Sequence, residues 1–103
     1  MRLSQMRRPH LGRGTVFRFP AGYPYEDTVA FMLVQLPDLS PALLVLTGYH
    51  AGRIPQVLPA ACLTESQYEI SVPWLRANWQ VWIWPGCTPA QVEIIEGYPP
   101  VPA

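Results

Sequence analysis

The apolar run Val29-Ala-Phe-Met-Leu-Val-Gln-Leu36 decides the fold, together with the turn signal Pro37-Asp-Leu-Ser-Pro41 and a second run, Ala42-Leu-Leu-Val-Leu-Thr47. Neither run alternates between apolar and polar residues, which is typical of a central strand covered on both faces. Clusters rich in proline and glycine recur along the chain at intervals of roughly 8–12 residues, the spacing of a β-sandwich or small barrel. The chain is therefore predicted to be β-rich.

The segments around these two runs also have the patterns of strands. In Thr15–Phe19, Phe17 and Phe19 fall on one face and Arg18 on the other. Pro55 cannot donate a hydrogen bond to a neighbouring strand, so its segment is an edge strand at best. Three further strands are predicted: Arg53–Leu58, Tyr68–Ile70 and Val92–Glu96.

One segment, Ser71–Trp82, has the spacing of a helix. Its apolar residues recur at Val72, Leu75, Trp79 and Trp82. Ser71 is a suitable N-cap, Pro73 is tolerated in a first turn, and Pro85-Gly86 ends the helix. We expect an α+β, mostly β fold: a small twisted antiparallel sheet or partly open barrel with one short helix packed on it. The expected core comprises Phe17, Phe31, Leu33, Leu44, Leu46, Leu75 and Trp79.

Charge is sparse and unevenly distributed along the chain. Of 103 residues, 50% are hydrophobic and 14% charged, and seven arginines balance seven acids. This zero net charge makes binding to nucleic acid unlikely. Residues 1–18 carry five arginines and no acid, whereas residues 19–103 carry two arginines and seven acids. We expect a flexible basic segment at residues 1–12 and a single globular domain at residues 13–103.

The sequence also constrains the compartment. The apolar run that a secretory signal needs does not follow the N-terminal arginines, and the longest apolar stretches are too short to span a bilayer. We therefore expect a cytoplasmic protein that does not associate with a membrane. Cys62 and Cys87 would then be reduced thiols acting as small apolar side chains, although a disulfide in an oxidising compartment stays open.

No motif in the sequence indicates catalysis or a cofactor. The G-x-S-x-G elbow, the phosphate-binding glycine loops and paired metal-ligand spacings are missing. His50 lies in a turn, where a lone histidine is typically exposed or hydrogen-bonded. Glu26 and Asp27 are adjacent, and nothing makes them converge with another acid on one site. We expect no catalytic residue, no cofactor and no metal.

Four tryptophans fall within eleven residues. Trp79 and Trp82, on the helical stripe, are expected in the core. Trp74 and Trp84 lie off that stripe, so both core packing and an interface stay open for them.

The chain resembles the immunity protein 45 family, small immunity proteins of bacterial polymorphic-toxin systems. The resemblance covers about residues 13–98 and is carried by the segments Arg13–Ala21, Tyr23–Asp27, Gly48–Gly52, Ile70–Leu75, Asn78-Trp79, Trp82–Pro85 and Ile95–Tyr98. It implies a cytosolic protein, not an enzyme, that binds and neutralises a cognate secreted toxin.

Two loops combine tyrosine with charge, as interface anchors do. The candidate partner-binding residues are Tyr23, Tyr25, Glu26, Asp27, Tyr49, His50, Arg53, Trp74 and Trp84. The alternatives are a homo-oligomeric adaptor, for which a homodimer is possible, and a small nucleic-acid-binding β domain.

Overall fold

Seven strands and one short α-helix make up the fold in the computed structural model, which describes residues 1–65 and 69–96. The strands are β1 (His10–Gly12), β2 (Val16–Pro20), β3 (Thr28–Gln35), β4 (Pro41–Val45), β5 (Gln56–Val57), β6 (Glu69–Ser71) and β7 (Glu93–Ile95). The helix α1 (Val72–Asn78) continues into a π-helical turn, Trp79–Ile83, and three 3₁₀ turns span Leu3–Gln5, Ala60–Cys62 and Pro89–Gln91. Within the predicted segments, Tyr68 and residues 97–98 lie outside the described residues.

Five strands form an antiparallel sheet in the order β5-β4-β3-β2-β7, and β1 pairs with β6 in a second, two-stranded sheet. The two apolar runs are neighbouring strands, with Phe31 opposite Val45 and Leu33 opposite Leu43. β5 lies at an edge, as the position of Pro55 predicts. The predicted α+β, mostly β class with an antiparallel sheet and one short helix is confirmed, and the described strands do not close into a barrel.

The core lies between the large sheet and α1. Phe17 and Phe19 point into it, while Arg18 points away. From α1 and the turn after it, Leu75 and Trp79 pack into the same cluster. The tilted ring of Trp79 lies 5.7 Å from that of Phe17, and its indole N–H donates to the Cys87 sulfur at 3.3 Å. Burial was therefore predicted correctly for Phe17, Phe31, Leu33, Leu75 and Trp79.

The prediction was wrong for Leu44 and Leu46, which are only half-buried. Leu43 and Val45 take the inward positions of β4, so the alternation of a strand turns Leu44 to the other face of the sheet. There Leu44 lies opposite Met32.

This outer face of the large sheet is apolar across its width. One row of paired residues crosses it from Ile95 through Val16 and Met32 to Leu44. In the adjacent row, Ala42 lies opposite Val57 and Val34. The strands are thus apolar on both faces, as the sequence indicates, although α1 packs on one of them.

The helix begins where the sequence predicts but ends in a different geometry. Ser71 is the N-cap, and its hydroxyl accepts a hydrogen bond from the Trp74 N–H at 3.2 Å. After Asn78 the chain widens into the π turn, which rotates later side chains away from the helical stripe. Trp79 is fully buried, but Trp82 is 36% exposed, so the expectation that Trp82 lies in the core was wrong.

The first twelve residues pack against the rest of the chain. Leu3, Met6 and Leu11 are buried, and the Leu3 N–H donates to the Val92 carbonyl at 2.8 Å. β1, which the sequence did not indicate, also lies in this segment. Buried side chains on both sides of residue 13, the expected start of the globular domain, thus belong to one core cluster.

Charges that are separated along the sequence meet in the fold. Arg8 pairs with Glu96 at 2.7 Å, and Arg18 pairs with Glu93 at 2.8 Å. The hydrogen bond from Arg18 holds the pKa of Glu93 below its ordinary value. In the part of the chain that the structure describes, no helix is long and apolar enough to cross a membrane.

Candidate partner-binding surface

The two candidate loops meet at one end of the large sheet. The first loop, residues 21–27, joins β2 to β3, and the second loop, residues 46–55, joins β4 to β5. Because β3 and β4 are antiparallel neighbours, the start of β3 and the end of β4 lie at the same end of the sheet. The pairing of these strands therefore brings both loops together, although they are far apart in the sequence.

Three contacts join the loops directly. The Tyr49 N–H donates to Glu26 Oε1 at 2.8 Å, and His50 Nε2 lies 3.3 Å from the Pro24 carbonyl oxygen. The rings of Tyr25 and His50 pack with their centroids 4.5 Å apart. The contribution of Pro24 is a main-chain oxygen, which no residue pattern in the sequence signals.

Each loop is also held by hydrogen bonds of its own. In the first loop the Ala21 N–H donates to the Asp27 carbonyl and the Tyr25 N–H to the Gly22 carbonyl, both at 2.8 Å. In the second loop the Arg53 N–H donates to the His50 carbonyl at 3.2 Å. The backbone of both loops is therefore ordered before any partner binds.

Trp84 connects this end of the sheet to the core. Its ring lies 5.0 Å from that of Tyr25, edge to face, and 5.3 Å from that of Phe19. Trp84 is half-buried and packs against the core cluster, so it links the Tyr25 ring to the core. Of the two possibilities open for Trp84, these contacts favour core packing.

The loop residues differ sharply in exposure. Tyr23 is 99% exposed and Tyr49 is 85% exposed, whereas Tyr25 and His50 are half-buried in the contact between the loops. The side chains of Glu26, Asp27 and Arg53 are exposed. The largely exposed rings of Tyr23 and Tyr49 thus lie at the surface, and the Tyr49 ring packs edge to face on His50 at 5.5 Å.

Trp74 belongs to a different part of the molecule. Its ring packs against that of Trp82, with the centroids 6.1 Å apart, on the surface formed by α1 and the π turn. Val81, which precedes Trp82, is 81% exposed. The structure thus brings together eight of the nine candidate residues around the two loops and places Trp74 with Trp82.

The titratable groups at the loops have no arrangement typical of catalysis. The His50 ring contacts main-chain oxygen and tyrosine rings.

Away from the loops, Cys62 and Cys87 are free and buried, and burial raises the pKa of the Cys62 thiol to about 11. Within residues 1–65 and 69–96, no cluster of three or more His, Cys, Asp or Glu side chains could hold a metal ion.

The family model of immunity protein 45 matches residues 4–94. No curated protein and no solved structure matches the chain. The match begins nine residues before the resemblance in the sequence, at residue 13, and so includes most of the packed N-terminal segment. Since it covers most of the 103 residues, the chain belongs to the immunity protein 45 family, and membership of such a family indicates a non-enzymatic role.

Proposed function

We propose that this member of the immunity protein 45 family binds a cognate secreted toxin in the bacterial cytosol and neutralises it by contact. We choose this surface because it exposes two tyrosines, Tyr23 and Tyr49, on two loops that are joined by a hydrogen bond from the Tyr49 N–H to Glu26. The proposed contact surface is the first loop together with the second loop.

Physical arguments support these loops as the binding surface. Tyrosine offers a large contact area and a hydroxyl while losing the freedom of only two side-chain torsions. Loops that are already ordered avoid part of the entropic cost of association, which is about 0.5–1.5 kcal/mol for each immobilised side chain. Tight inhibition, in the nanomolar range of roughly −12 kcal/mol, depends on keeping such costs low.

Charge adds a local preference to this surface. Glu26 and Asp27 lie in the first loop with Tyr23, and Arg53 is the cation of the second loop. Farther away, Glu93 and Glu96 are paired with arginines, so the acidic part of the sequence is partly neutralised. The acids of the first loop would therefore attract a basic toxin to this surface.

The same ion pairs argue against the nucleic-acid alternative. Arg8 and Arg18, from the basic start of the chain, are engaged with Glu96 and Glu93. A phosphate backbone would have to displace these carboxylates, which weakens any counterion-release contribution to binding.

Protection of cells against a cognate toxin tests the proposal. The variant Tyr23→Ala/Tyr49→Ala should lose protection, because both exposed rings leave the surface, while circular dichroism and the thermal midpoint stay unchanged. Val81→Ser is the matched control, an exposed residue on the π turn that should keep full protection. If the double variant protects cells as well as the wild type, the contact surface lies elsewhere.

Weak self-association is a second candidate, favoured by the apolar outer face of the large sheet. Val16 and Ala42 on this face are already buried and Met32 and Leu44 are half-buried, so the apolar area left for a second copy is smaller than the roughly 800 Å² that each partner contributes to a stable interface. Arg18 and Glu93 neutralise each other on it, so a second, identical face meets no net charge.

We therefore expect a dimer only at high concentration. Sedimentation velocity over a range of concentrations should reveal it, and Ile95→Lys should abolish it, because a charge would then stand on the apolar row. A strictly monomeric wild type at millimolar concentration would exclude this candidate.

A further inference from the structure

The Glu26 carboxylate lies between the two loops rather than projecting freely from the first. Its Oε1 atom accepts the Tyr49 N–H at 2.8 Å across 23 residues of sequence. A hydrogen bond from a backbone amide to an ionised carboxylate is stronger than one between neutral groups.

Gly48 makes this approach possible. Its φ of 68° lies in the left-handed region, where glycine carries no steric penalty. A Cβ atom added at Gly48 would overlap Oε1, Cδ and Oε2 of Glu26. Position 48 thus has two independent reasons to be glycine: its backbone conformation and the carboxylate that packs directly against it.

We propose that Glu26 is a positioning residue, which holds the Gly48–Tyr49 backbone and thereby fixes where the exposed Tyr49 ring lies on the surface of the two loops. This assignment rests on the proposed function. It gives Glu26 a different role there, because the carboxylate acts through Tyr49 instead of contacting the toxin. Asp27, the adjacent acid, takes no part in this contact through its side chain in the described structure, and it remains available to a partner.

Replacement of the carboxylate separates positioning from direct contact. Glu26→Gln keeps an oxygen that accepts the Tyr49 N–H but removes the negative charge, whereas Glu26→Ala removes both. Asp27→Asn is the matched control, since it removes a charge from the neighbouring position and leaves the contact to Tyr49 intact. Gly48→Ala disturbs the same contact from the opposite side.

Amide hydrogen exchange measured by NMR reports on the contact with no toxin present. In Glu26→Ala and Gly48→Ala we expect the Tyr49 amide to exchange about tenfold faster than in the wild type, with its proton resonance shifted upfield. In Glu26→Gln and Asp27→Asn the exchange rate should stay within about threefold of the wild type. Protection of cells should fall much further for Glu26→Ala than for Glu26→Gln, because only the alanine variant loses the contact to the Tyr49 amide.

The outcomes that overturn the proposal are distinct from those that overturn the proposed function. An unchanged exchange rate of the Tyr49 amide in Glu26→Ala refutes the positioning role, whatever the cells show. Loss of protection in Glu26→Gln with a wild-type exchange rate makes Glu26 a charge contact, which refutes positioning and keeps the binding surface. If exchange behaves as expected but Tyr23→Ala/Tyr49→Ala still protects, the contact between the loops stands and the proposed binding surface fails.

Discussion

Replacing Trp79 and Trp82 by alanine in separate variants tests the geometry of the turn after α1. Both residues belong to the same apolar stripe in a regular helix, but the π turn buries Trp79 completely and leaves Trp82 36% exposed. The Trp79 ring lies 5.7 Å from Phe17 and 5.3 Å from Phe19, and its N–H donates to the Cys87 sulfur.

The two substitutions should therefore differ greatly in cost. Trp79→Ala should lower the free energy of unfolding by about 3–5 kcal/mol, because it opens a cavity in the core. At about 4–8 °C for each kcal/mol in a domain of this size, the melting temperature should fall by at least about 12 °C. Trp82→Ala removes a ring that rests on Trp74 and should cost about 1 kcal/mol or less.

Guanidinium denaturation followed by tryptophan fluorescence and by circular dichroism measures both differences. Trp79→Phe, which keeps a ring in the core, gives a second measurement if Trp79→Ala does not fold, and should cost less than the alanine variant. Equal losses at Trp79 and Trp82 would refute the π turn and would place both rings on one regular helical face.

Three other substitutions test the N-terminal segment, a buried thiol and a strained turn. Leu3→Ala should lower the free energy of unfolding by about 2–5 kcal/mol, since Leu3 is fully buried. A loss below about 1 kcal/mol in denaturant titrations would show that residues 1–12 are not part of the folded domain. Burial raises the pKa of Cys62 from 9.0 to about 11, so the unfolded chain loses this proton first and stability should fall as pH rises through that interval. Denaturation at pH 8 and pH 10.5 should show a smaller fall in Cys62→Ala than in the wild type. Leu39 has a φ of 73°, a conformation that costs a side-chain-bearing residue about 1–2 kcal/mol, and Leu39→Gly should raise the melting temperature slightly, whereas Leu39→Ala should not.

Local signals predicted the elements that depend on local contacts. Ser71 caps α1 because its hydroxyl reaches an amide only three residues away, so a short pattern contains the whole interaction. The alternation of Phe17 and Arg18 likewise fixes the faces of β2 without reference to any other strand. β1 was not predicted because its three residues, of which only Leu11 is buried, are too few to show an alternating pattern. Its partner strand β6 is also more than fifty residues away in the sequence.

Two failures have the same physical origin. In β4, Leu43 and Leu44 are equally apolar, so period-two alternation gives no information about which of them faces the core. After α1, a single π turn shifts Trp82 relative to Trp79, and no feature of residue composition marks such a shift. In both cases neighbouring elements decide the side-chain direction.

The candidate surface could be predicted by residue type and not by geometry. Tyrosines beside charged residues in turns indicated the two loops, and the structure brings these loops together. The contact of Glu26 with Gly48 and Tyr49 depends on the pairing of β3 with β4, and Glu26 therefore resembled a solvated turn residue in the sequence. The importance of Gly48 follows from its positive φ and from the carboxylate against it, neither of which a single sequence displays.

The surface thus consists of residues that stabilise the loops and residues whose side chains are exposed to solvent. Tyr25 and Glu26 are engaged within the protein, against Trp84 and the Tyr49 amide, whereas the rings of Tyr23 and Tyr49 extend into solvent. If these loops bind the toxin, as proposed, the exposed side chains can change while the loops keep their structure, because substitution of an exposed ring leaves the packing of Tyr25 against Trp84 intact. Under the proposed function, exchange of Tyr23 and Tyr49 for other side chains should alter which toxin is bound at nearly constant stability, while removal of the Tyr25 ring or of the Glu26 side chain should weaken binding to any toxin that uses this surface.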